Sequence, residues 1–547
     1  MRTLIASIAL LAIAITCNAQ GGSPERTAAM DKAMAEHFTA DAPGGTAIVA
    51  QGGKVLYEKA LGMANVAKSI PLTTTDQFRI GSVSKQFAAV SILQLAEAGK
   101  LKLDDEVQQY VDFPKKEQPI TIQHLLTHTS GIPNFTNGPA YSPEAYAKDI
   151  ALKDLIALFA DQPLEFAPGT KWSYSNSGYI LLSAIIERVS GQSWSDYAEA
   201  HLFKPAGMTQ TSAAINGRAL PNEAIGYAED STGWKPANPV SMSWPLAAGN
   251  IRSTVGDLWK WNTSVFAGKL VSPEWLAKAH TSVVLADGTT QPYGFGWGFK
   301  NIQGSPTIEH SGGIDGFVSN CIYLPKEDIY IAVLVNRESD DASALAAELA
   351  AIALGKPYGG AEVDLSLAEA QALTGVYVNA EGVERYITAE GNKLSSLRQG
   401  SSPKPLRHLG NDRFLYEGDV ITITFLRTDG KVTGARFLAR DRDEQLIRSD
   451  KPLPKPRTEV PLKNADLQAY VGEFELMPGF TLTFRAEGDR LFVLPTRQGE
   501  LEVFGEAPHK FFLKVVDATI EFHPEADGSV KRLTFNQGGV MEGKRIR

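Results

Sequence analysis

Hydrophobic residues along the first part of the chain recur alternately with helical and with strand spacing. Helical spacing runs from Glu25 to about Phe38, and the segments Thr46–Ala50 and Val55–Tyr57 then form a hairpin pattern. Two further apolar strand patterns, Val318–Leu324 and Ile329–Val335, lie near the end of this part. Strands from both ends with helices between them predict an α+β domain, in which one antiparallel sheet is flanked by helices.

The rest of the chain carries strand spacing and consists of two copies of one unit. Thr374–Tyr377 matches Val471–Phe474, and Ala389–Leu394 matches Ala486–Leu491, both at an offset of 97 positions. Asp-Gly and Glu-Gly pairs between alternating segments are hairpin signals. Each copy is therefore predicted to be a small antiparallel β-barrel or sandwich, and we favour the barrel.

Stretches rich in glycine and proline mark the junctions between these units. They are Gly355–Gly360 and Lys451–Arg457, and their composition is typical of linkers. We therefore predict a signal peptide over 1–19, a first domain over 20–360, and barrels over 361–455 and 456–547.

Composition and charge exclude several classes of protein. Of the 547 residues, 43% are hydrophobic and 21% are charged, which permits sizeable cores and excludes disordered, collagenous and multi-span membrane chains. The 53 Lys and Arg against 62 Asp and Glu give a net charge of −9, which repels phosphate backbones. We expect no nucleic-acid partner.

The first residues are typical of a secretory signal. The apolar run Leu4–Ile15 is too short to span a bilayer, and small residues at Cys17 and Ala19 precede a cleavage point before Gln20. Lipidation of Cys17 is the weaker alternative, because its upstream positions lack the leucine of a lipoprotein signal. We therefore expect an exported protein, periplasmic or secreted, with no integral membrane segment after cleavage.

Ser82 and Lys85 are the first candidates for catalysis. They open a segment that is almost uncharged until Glu97, which predicts a buried helix. At a spacing of three the two side chains share a helix face, and burial lowers the lysine pKa so that its amine can accept the serine proton. The spacing alone is weakly specific, since Ser401 and Lys404 repeat it in a proline-containing loop, and an N-cap serine before a surface lysine is the alternative.

Two further segments support a serine hydrolase. Tyr174-Ser-Asn176 lies in a turn-rich loop before an apolar helix, and His310-Ser-Gly312-Gly313 leads into a strand. Consecutive glycines let a substrate backbone approach closely and leave main-chain N–H groups available to an oxyanion.

In this order the three segments resemble the motifs of the penicillin-recognising serine hydrolases related to class C β-lactamases, a group that includes DD-peptidases, D-aminopeptidases and esterases. The resemblance covers the first domain and extends to His124–Gly131, Ala248–Asn250 and Tyr293–Trp297. It implies a β-lactamase/transpeptidase-like fold, with an antiparallel sheet flanked by helices and a helical subdomain.

The resemblance also implies a role for each motif residue. Ser82 would be acylated, while Lys85 and Tyr174 would share the duty of general base. Tyr174 would return the proton to the leaving group, and Asn176 would hold the substrate amide and orient Lys85. Main-chain N–H groups of Ser82 and Gly313 would form the oxyanion hole. Which of the two bases loses its proton first is left open.

The third motif departs from that of class C β-lactamases, which have Lys-Thr-Gly where this chain has His310-Ser-Gly312. A permanent positive charge thereby becomes an imidazole that is mostly neutral at pH 7. In the family this form goes with esterases and D-aminopeptidases, and the latter also have two lipocalin-like barrels, one of which reaches over the active site. We therefore expect an acyl-enzyme hydrolase of short amides or esters that uses no cofactor, with His310 and Gly312 among its substrate-binding residues.

Other functions stay open at this point. DD-carboxypeptidase or β-lactamase activity on cell-wall peptides or β-lactams uses the same motifs, and so does a non-catalytic receptor that is acylated. A metal site at His124 and His128 lacks the glutamate of zinc proteases and a third ligand, so a structural role at a helix end is expected instead. The expected partner is a small-molecule or short-peptide substrate, and the oligomeric state is unknown.

Overall fold

The computed structural model describes residues 23–213, 222–230, 233–339, 342–454, 457–477, 480–496 and 499–547. The predicted signal peptide lies outside these residues. In the part of the chain that is described, no helix is long and apolar enough to cross a membrane.

A six-stranded antiparallel sheet organises the first domain. Gly45–Gln51 pairs with Ile329–Val335 on one side and with Lys54–Leu61 on the other, so the two ends of the domain meet within the sheet, as predicted. From edge to edge the strand order is Gly298–Ile302, Ser305–Ile314, Phe317–Leu324, Ile329–Val335, Gly45–Gln51 and Lys54–Leu61.

Helices cover both faces of this sheet because successive strand residues point to opposite sides. Ala47 and Val49 join the core under the terminal helices Pro24–His37 and Ala342–Ala353. Ile48 points the other way, into the larger core that contains most of the helix Ser84–Glu97.

The remaining helices and short strands lie between Lys54–Leu61 and Gly298–Ile302. The helical segments are Gly81–Val83, Val107–Gln109, Ile122–Leu126, Phe135–Asn137, Pro143–Tyr146, Leu152–Ala160, Asn176–Ser190, Trp194–Ala198, Glu199–Phe203, Lys204–Ala206, Leu246–Gly249, Val255–Phe266 and Pro273–Ala279. The short strands pair as Met63–Asn65 with Ile70–Pro71, Tyr227–Asp230 with Gly233–Pro236, Val283–Val284 with Thr290–Gln291, and Ile251–Ser253 with both Phe78–Arg79 and Ser212–Ala213.

Two closed eight-stranded antiparallel barrels follow, each preceded by a short helix, and they confirm the barrel prediction. The first has the helix Leu367–Leu373 and the strands Gly375–Val378, Glu384–Glu390, Lys393–Arg398, Lys404–His408, Arg413–Tyr416, Thr422–Thr428, Lys431–Leu438 and Asp443–Ser449. The second has the helix Asn464–Leu467 and the strands Gly472–Met477, Phe480–Glu487, Arg490–Pro495, Leu501–Ala507, Lys510–Leu513, Ala518–Pro524, Val530–Asn536 and Val540–Arg545.

The hairpin turn at 439–442 fastens the first barrel to the first domain. Arg440 forms an ion pair with Glu309, and the two side chains are only 9% and 4% exposed. The main-chain carbonyl of Arg440 also accepts a hydrogen bond from Asn301 N at 3.0 Å. Glu309 directly precedes His310, so the barrel is tied to the strand that carries the third motif.

We predict that Arg440→Met lowers the free energy of unfolding by about 2 kcal/mol, because the buried carboxylate of Glu309 keeps only the more exposed Lys300, 3.5 Å away. Denaturant unfolding of the whole chain measures this. The neighbouring Arg442 lies 3.5 Å from Glu444 in an exposed pair, so Arg442→Met should cost less than about 0.5 kcal/mol. Equal losses in the two variants would contradict a special role for the buried pair.

Candidate active site

Ser82 lies where the chain turns from a short strand into a buried helix. Phe78–Arg79 ends the strand, Gly81–Val83 forms one 3₁₀ turn, and the α-helix Ser84–Glu97 follows. Nearly all of that helix is buried, as its uncharged sequence predicts. Because first-turn N–H groups have no acceptor within a helix, the partly exposed Ser82 sits at an electropositive end.

Lys85 is 0% exposed, and its Nζ lies within hydrogen-bonding distance of three oxygens. The distances are 3.1 Å to Ser82 Oγ, 2.8 Å to Asn176 Oδ1 and 2.8 Å to the carbonyl oxygen of Ala248. The amide and carbonyl oxygens can only accept, so each takes one N–H of Lys85. A neutral amine has two N–H bonds and one lone pair, which leaves the lone pair for the Ser82 hydroxyl.

Electrostatics favour Lys85 over Tyr174 as the group that accepts the serine proton. Burial holds the pKa of Lys85 well below its usual range. Burial raises the pKa of Tyr174, and its hydrogen bond with Ser82 offsets this only in part. The Tyr174 ring lies with its centroid 4.8 Å from Lys85 Nζ. The residue at 174 is therefore a phenol that can donate a proton, next to an amine that can take one.

The strand Ser305–Ile314 brings the third motif against the turn that carries Ser82. A Cβ atom on Gly312 would lie 2.0 Å from the carbonyl oxygen of Ile80, so this approach requires glycine. Gly313 lines the same cavity as Ser82 and has open space beside its Cα. Ser82 and Gly313 thus line one cavity, and their predicted role as the oxyanion hole stays a prediction.

His128 holds the Tyr174 loop from both sides, which the sequence did not indicate. Its carbonyl accepts a hydrogen bond from Ser173 N at 3.0 Å, and its Nδ1 accepts one from Ser175 N at 3.1 Å. Its ring packs on the Tyr174 ring with the centroids 4.2 Å apart. The general role at a helix end that we expected for His128 is therefore replaced by a specific one, that of orienting the phenol.

A chain of hydrogen bonds leads from His128 to His310. Because His128 Nδ1 accepts from Ser175, its Nε2 carries the proton and donates to Tyr293 Oη at 3.2 Å. The Tyr293 hydroxyl then donates to His310 Nε2 at 2.9 Å, and His310 Nδ1 donates to the Ser311 carbonyl at 2.6 Å. The Ser175 N–H and the Ser311 carbonyl, at the two ends of this series of hydrogen bonds, thus determine which nitrogen of each imidazole carries the proton.

Both imidazoles in this chain are neutral. Burial lowers the pKa of His128 well below its usual range, and burial together with the nearby Lys85 lowers that of His310 to about 3. Both ring nitrogens of His310 are engaged within the protein. His310 is therefore hydrogen-bonded to Tyr293 and to the Ser311 carbonyl, and the centroid of its ring lies 6.3 Å from that of the Tyr174 ring. Its contact with substrate stays a prediction.

The cleft beside Ser82 is a cavity of about 480 Å³. Its aromatic wall consists of Phe135, Tyr141, Trp244 and Phe317, and it also holds the carboxylates of Asp315 and Glu338. Among the described residues that line it, none is a lysine or an arginine and none belongs to a barrel. The first barrel instead contributes Asp441 to a neighbouring cavity of about 320 Å³ beside His310. A barrel was expected to reach over the active site, but the first barrel lies beside the neighbouring cavity next to His310 and not over the cleft of Ser82.

Two sets of residues weighed from the sequence lie outside the site. His124 caps the helix Ile122–Leu126 in a reciprocal pair of hydrogen bonds with Thr121, which is the structural role expected for it. Ser401 lies in a barrel loop, where its hydroxyl donates to the Arg398 carbonyl at 2.7 Å. Within the described ranges, no group of three or more His, Cys, Asp or Glu side chains could hold a metal ion.

Comparison with known proteins shows which family the first domain matches. Residues 28–355 match the family described as Beta-lactamase, and residues 456–545 match a domain of unknown function, DUF3471. The chain is 31% identical to Penicillin-binding protein 4* of Bacillus subtilis (strain 168), over 64% of this chain and 82% of that protein. It is 28% identical to a D-aminopeptidase of Gluconobacter oxydans (strain 621H), over 62% of this chain and 63% of that protein, which is less than two thirds of its length.

Among solved structures, the penicillin binding protein from Bacillus halodurans superposes with a TM-score of 0.52 at 28% identity. The match covers 60% of this chain and 98% of that one. The shared region is therefore the size of the first domain.

We predict that Tyr293→Phe makes His310 titrate at a higher pH than in the parent chain. The Tyr293 hydroxyl donates to the neutral ring, so its loss should raise the His310 pKa by about one pH unit, the equivalent of one hydrogen bond. Histidine NMR spectra of the full chain measure this. Tyr323→Phe is the matched control, since its hydroxyl bonds to Asp328 away from the site. An unchanged His310 titration in Tyr293→Phe would contradict the proposed proton positions.

Proposed function

Because the chain belongs to the Beta-lactamase family, we propose that it is an exported serine hydrolase that cleaves short amides or esters through an acyl-enzyme on Ser82. The observation that carries the proposal is the contact of the buried Lys85 amine with the Ser82 hydroxyl. A serine needs such a neighbouring base to become a nucleophile. The similarity to a D-aminopeptidase supports the same reaction class.

The proposed reaction uses the motif residues in both of its halves. In acylation the Ser82 oxygen attacks the substrate carbonyl while Lys85 takes its proton, and the N–H groups of Ser82 and Gly313 stabilise the oxyanion. Tyr174 protonates the departing amine or alcohol and is reprotonated from Lys85. In deacylation water loses a proton to the same base, attacks the ester carbonyl and releases the acid, and Ser82 recovers its proton.

The charge of the cleft supports an acyl group that carries an amino function. Asp315 and Glu338 supply two carboxylates, and no cation stands among the described lining residues to hold a substrate carboxylate. A carboxylate near a substrate ammonium favours its bound, charged state. We therefore place D-amino-acid amides, short esters and short peptides with a free amino end ahead of substrates with a free carboxyl end.

A second candidate rests on the similarity to Penicillin-binding protein 4*. In this second candidate function, β-lactams or cell-wall peptides acylate Ser82, and the acyl-enzyme is hydrolysed slowly or not at all. The same nucleophile and base are used, so only turnover separates the two candidates.

The purified mature chain should hydrolyse D-alanine p-nitroanilide or p-nitrophenyl acetate, and Ser82→Ala should lower the rate by at least about 1,000-fold. Ser401→Ala is the matched control, because it removes the serine of the second Ser-x-x-Lys sequence and should keep full activity. Stoichiometric labelling by a fluorescent penicillin without turnover would favour the second candidate. Turnover that survives in Ser82→Ala would contradict both.

Asp315→Asn tests the amino-group preference. It should raise KM about tenfold for D-alanine p-nitroanilide, because an ammonium would lose one charge partner worth about 1.4 kcal/mol. N-acetyl-D-alanine p-nitroanilide has the same scissile bond without the positive charge, so its KM should stay unchanged. Equal increases for the two substrates would mean that Asp315 only shapes the cleft.

A further inference from the structure

The first barrel encloses an arginine without an ionic partner. Arg385 lies on the strand Glu384–Glu390 with 7% of its surface exposed. Its Nη1 donates to Tyr416 Oη at 2.9 Å and to Ser396 Oγ at 3.4 Å, and its guanidinium lies 4.1 Å from the centroid of the Phe437 ring. Among the described residues, no carboxylate lies within ion-pair distance of it.

The charges around Arg385 leave it uncompensated. Burial lowers its pKa, and the carboxylate that acts on it most, Glu444, is 3.5 Å from the more exposed Arg442. Arg398, on the neighbouring strand, adds a repulsive positive charge. A guanidinium stays protonated in proteins, so its burial without a carboxylate is unfavourable unless an anion joins it.

One edge of this guanidinium is unused. Nη1 makes the two hydroxyl contacts, whereas Nε is buried without an acceptor and no described residue accepts from Nη2. The N–H bonds of Nε and Nη2 are parallel, and this pair is the one that binds both oxygens of a carboxylate. The free edge thus has the chemistry of a carboxylate receptor.

The second barrel shows that the fold does not require this cluster. At the repeat offset of 97 positions the three polar residues are replaced by apolar ones, Leu482, Val493 and Leu513. The strand pairings place the two sets at equivalent points of their barrels. In the second barrel these three residues line a cavity of about 280 Å³. The same barrel position is therefore compatible with an apolar lining, and the arginine calls for another explanation.

We propose that the first barrel binds a small carboxylic acid, whose carboxylate pairs with Nε and Nη2 of Arg385. Tyr416 and Ser396 hold the opposite edge of the guanidinium, and Phe437 covers its face. The barrel core around this group is apolar, so the acid carries a short hydrocarbon tail rather than further charges. This site is separate from Ser82 and does not depend on the proposed hydrolysis.

Titration calorimetry and thermal unfolding of the full chain test the proposal, with hexanoate as the probe. Saturable binding of hexanoate and a concentration-dependent rise of Tm are expected, and hexanol, which lacks the charge, should give neither. Arg385→Leu should weaken hexanoate binding at least about tenfold, the effect of losing one charged contact. Without hexanoate its Tm should equal or exceed that of the parent, because an unpaired buried charge has been removed.

Arg436→Gln is the matched control, because Arg436 lies beside Phe437 on the same strand but is exposed and paired with Asp443. It should keep the parent's affinity. If Arg385→Leu does not fold, Arg385→Lys keeps the charge without the paired donors and should bind several-fold more weakly.

Three results would overturn the proposal. They are the absence of saturable hexanoate binding to the parent, equal affinities of the parent and the Arg385 variants, and tighter binding of sulfate than of hexanoate, which would indicate a tetrahedral anion.

Discussion

The site depends on a lysine amine that is held out of water between two oxygens that can only accept. Three separate segments of the chain meet at this nitrogen: the turn of Ser82, the helix that begins at Asn176 and the short helix Leu246–Gly249, which contains Ala248. Burial disfavours the charged form of Lys85, and the two acceptors leave its lone pair directed to the serine. The extensive apolar core around the helix Ser84–Glu97 therefore bears on the chemistry, because it keeps Lys85 buried and its pKa low.

A series of hydrogen bonds through His128 and Tyr293 joins the Tyr174 loop to the third motif. His128 fixes the loop through its carbonyl, its Nδ1 and its ring, and Tyr293 carries the connection to His310. Because both imidazoles are buried and neutral, the connection transmits position and adds no positive charge beside Lys85. A lysine in place of His310 would bring a second cation close to the catalytic amine. With histidine at 310, burial rather than a neighbouring cation is the main cause of the low pKa of Lys85.

Much of the fold and part of the site could be predicted from the sequence. The apolar strands near both ends of the first domain predicted the sheet in which these ends meet, and the offset of 97 predicted the duplicated barrels. The uncharged segment after Ser82 predicted the buried helix that carries Lys85, and Ser82 lies in the 3₁₀ turn just before it. His128 and Tyr293 are separated by 165 positions, so no local pattern could show that their side chains meet. In the sequence, Arg440 and Arg385 likewise look like ordinary polar residues, one in a turn and the other in a strand. Their importance comes from burial against a distant partner, or from the lack of one.

The pairing of Gly45–Gln51 with Ile329–Val335 also constrains how the chain acquires its structure. The strand Gly45–Gln51 pairs with a partner that is synthesised nearly three hundred positions later, so the sheet cannot be completed until that partner has emerged. Until then the apolar faces of its early strands stay uncovered and are prone to aggregate. Each barrel, by contrast, is built from neighbouring hairpins and can form soon after its last strand. The first domain can therefore complete its sheet only after Ile329–Val335 has been made, whereas each barrel depends only on its own later segment of the chain.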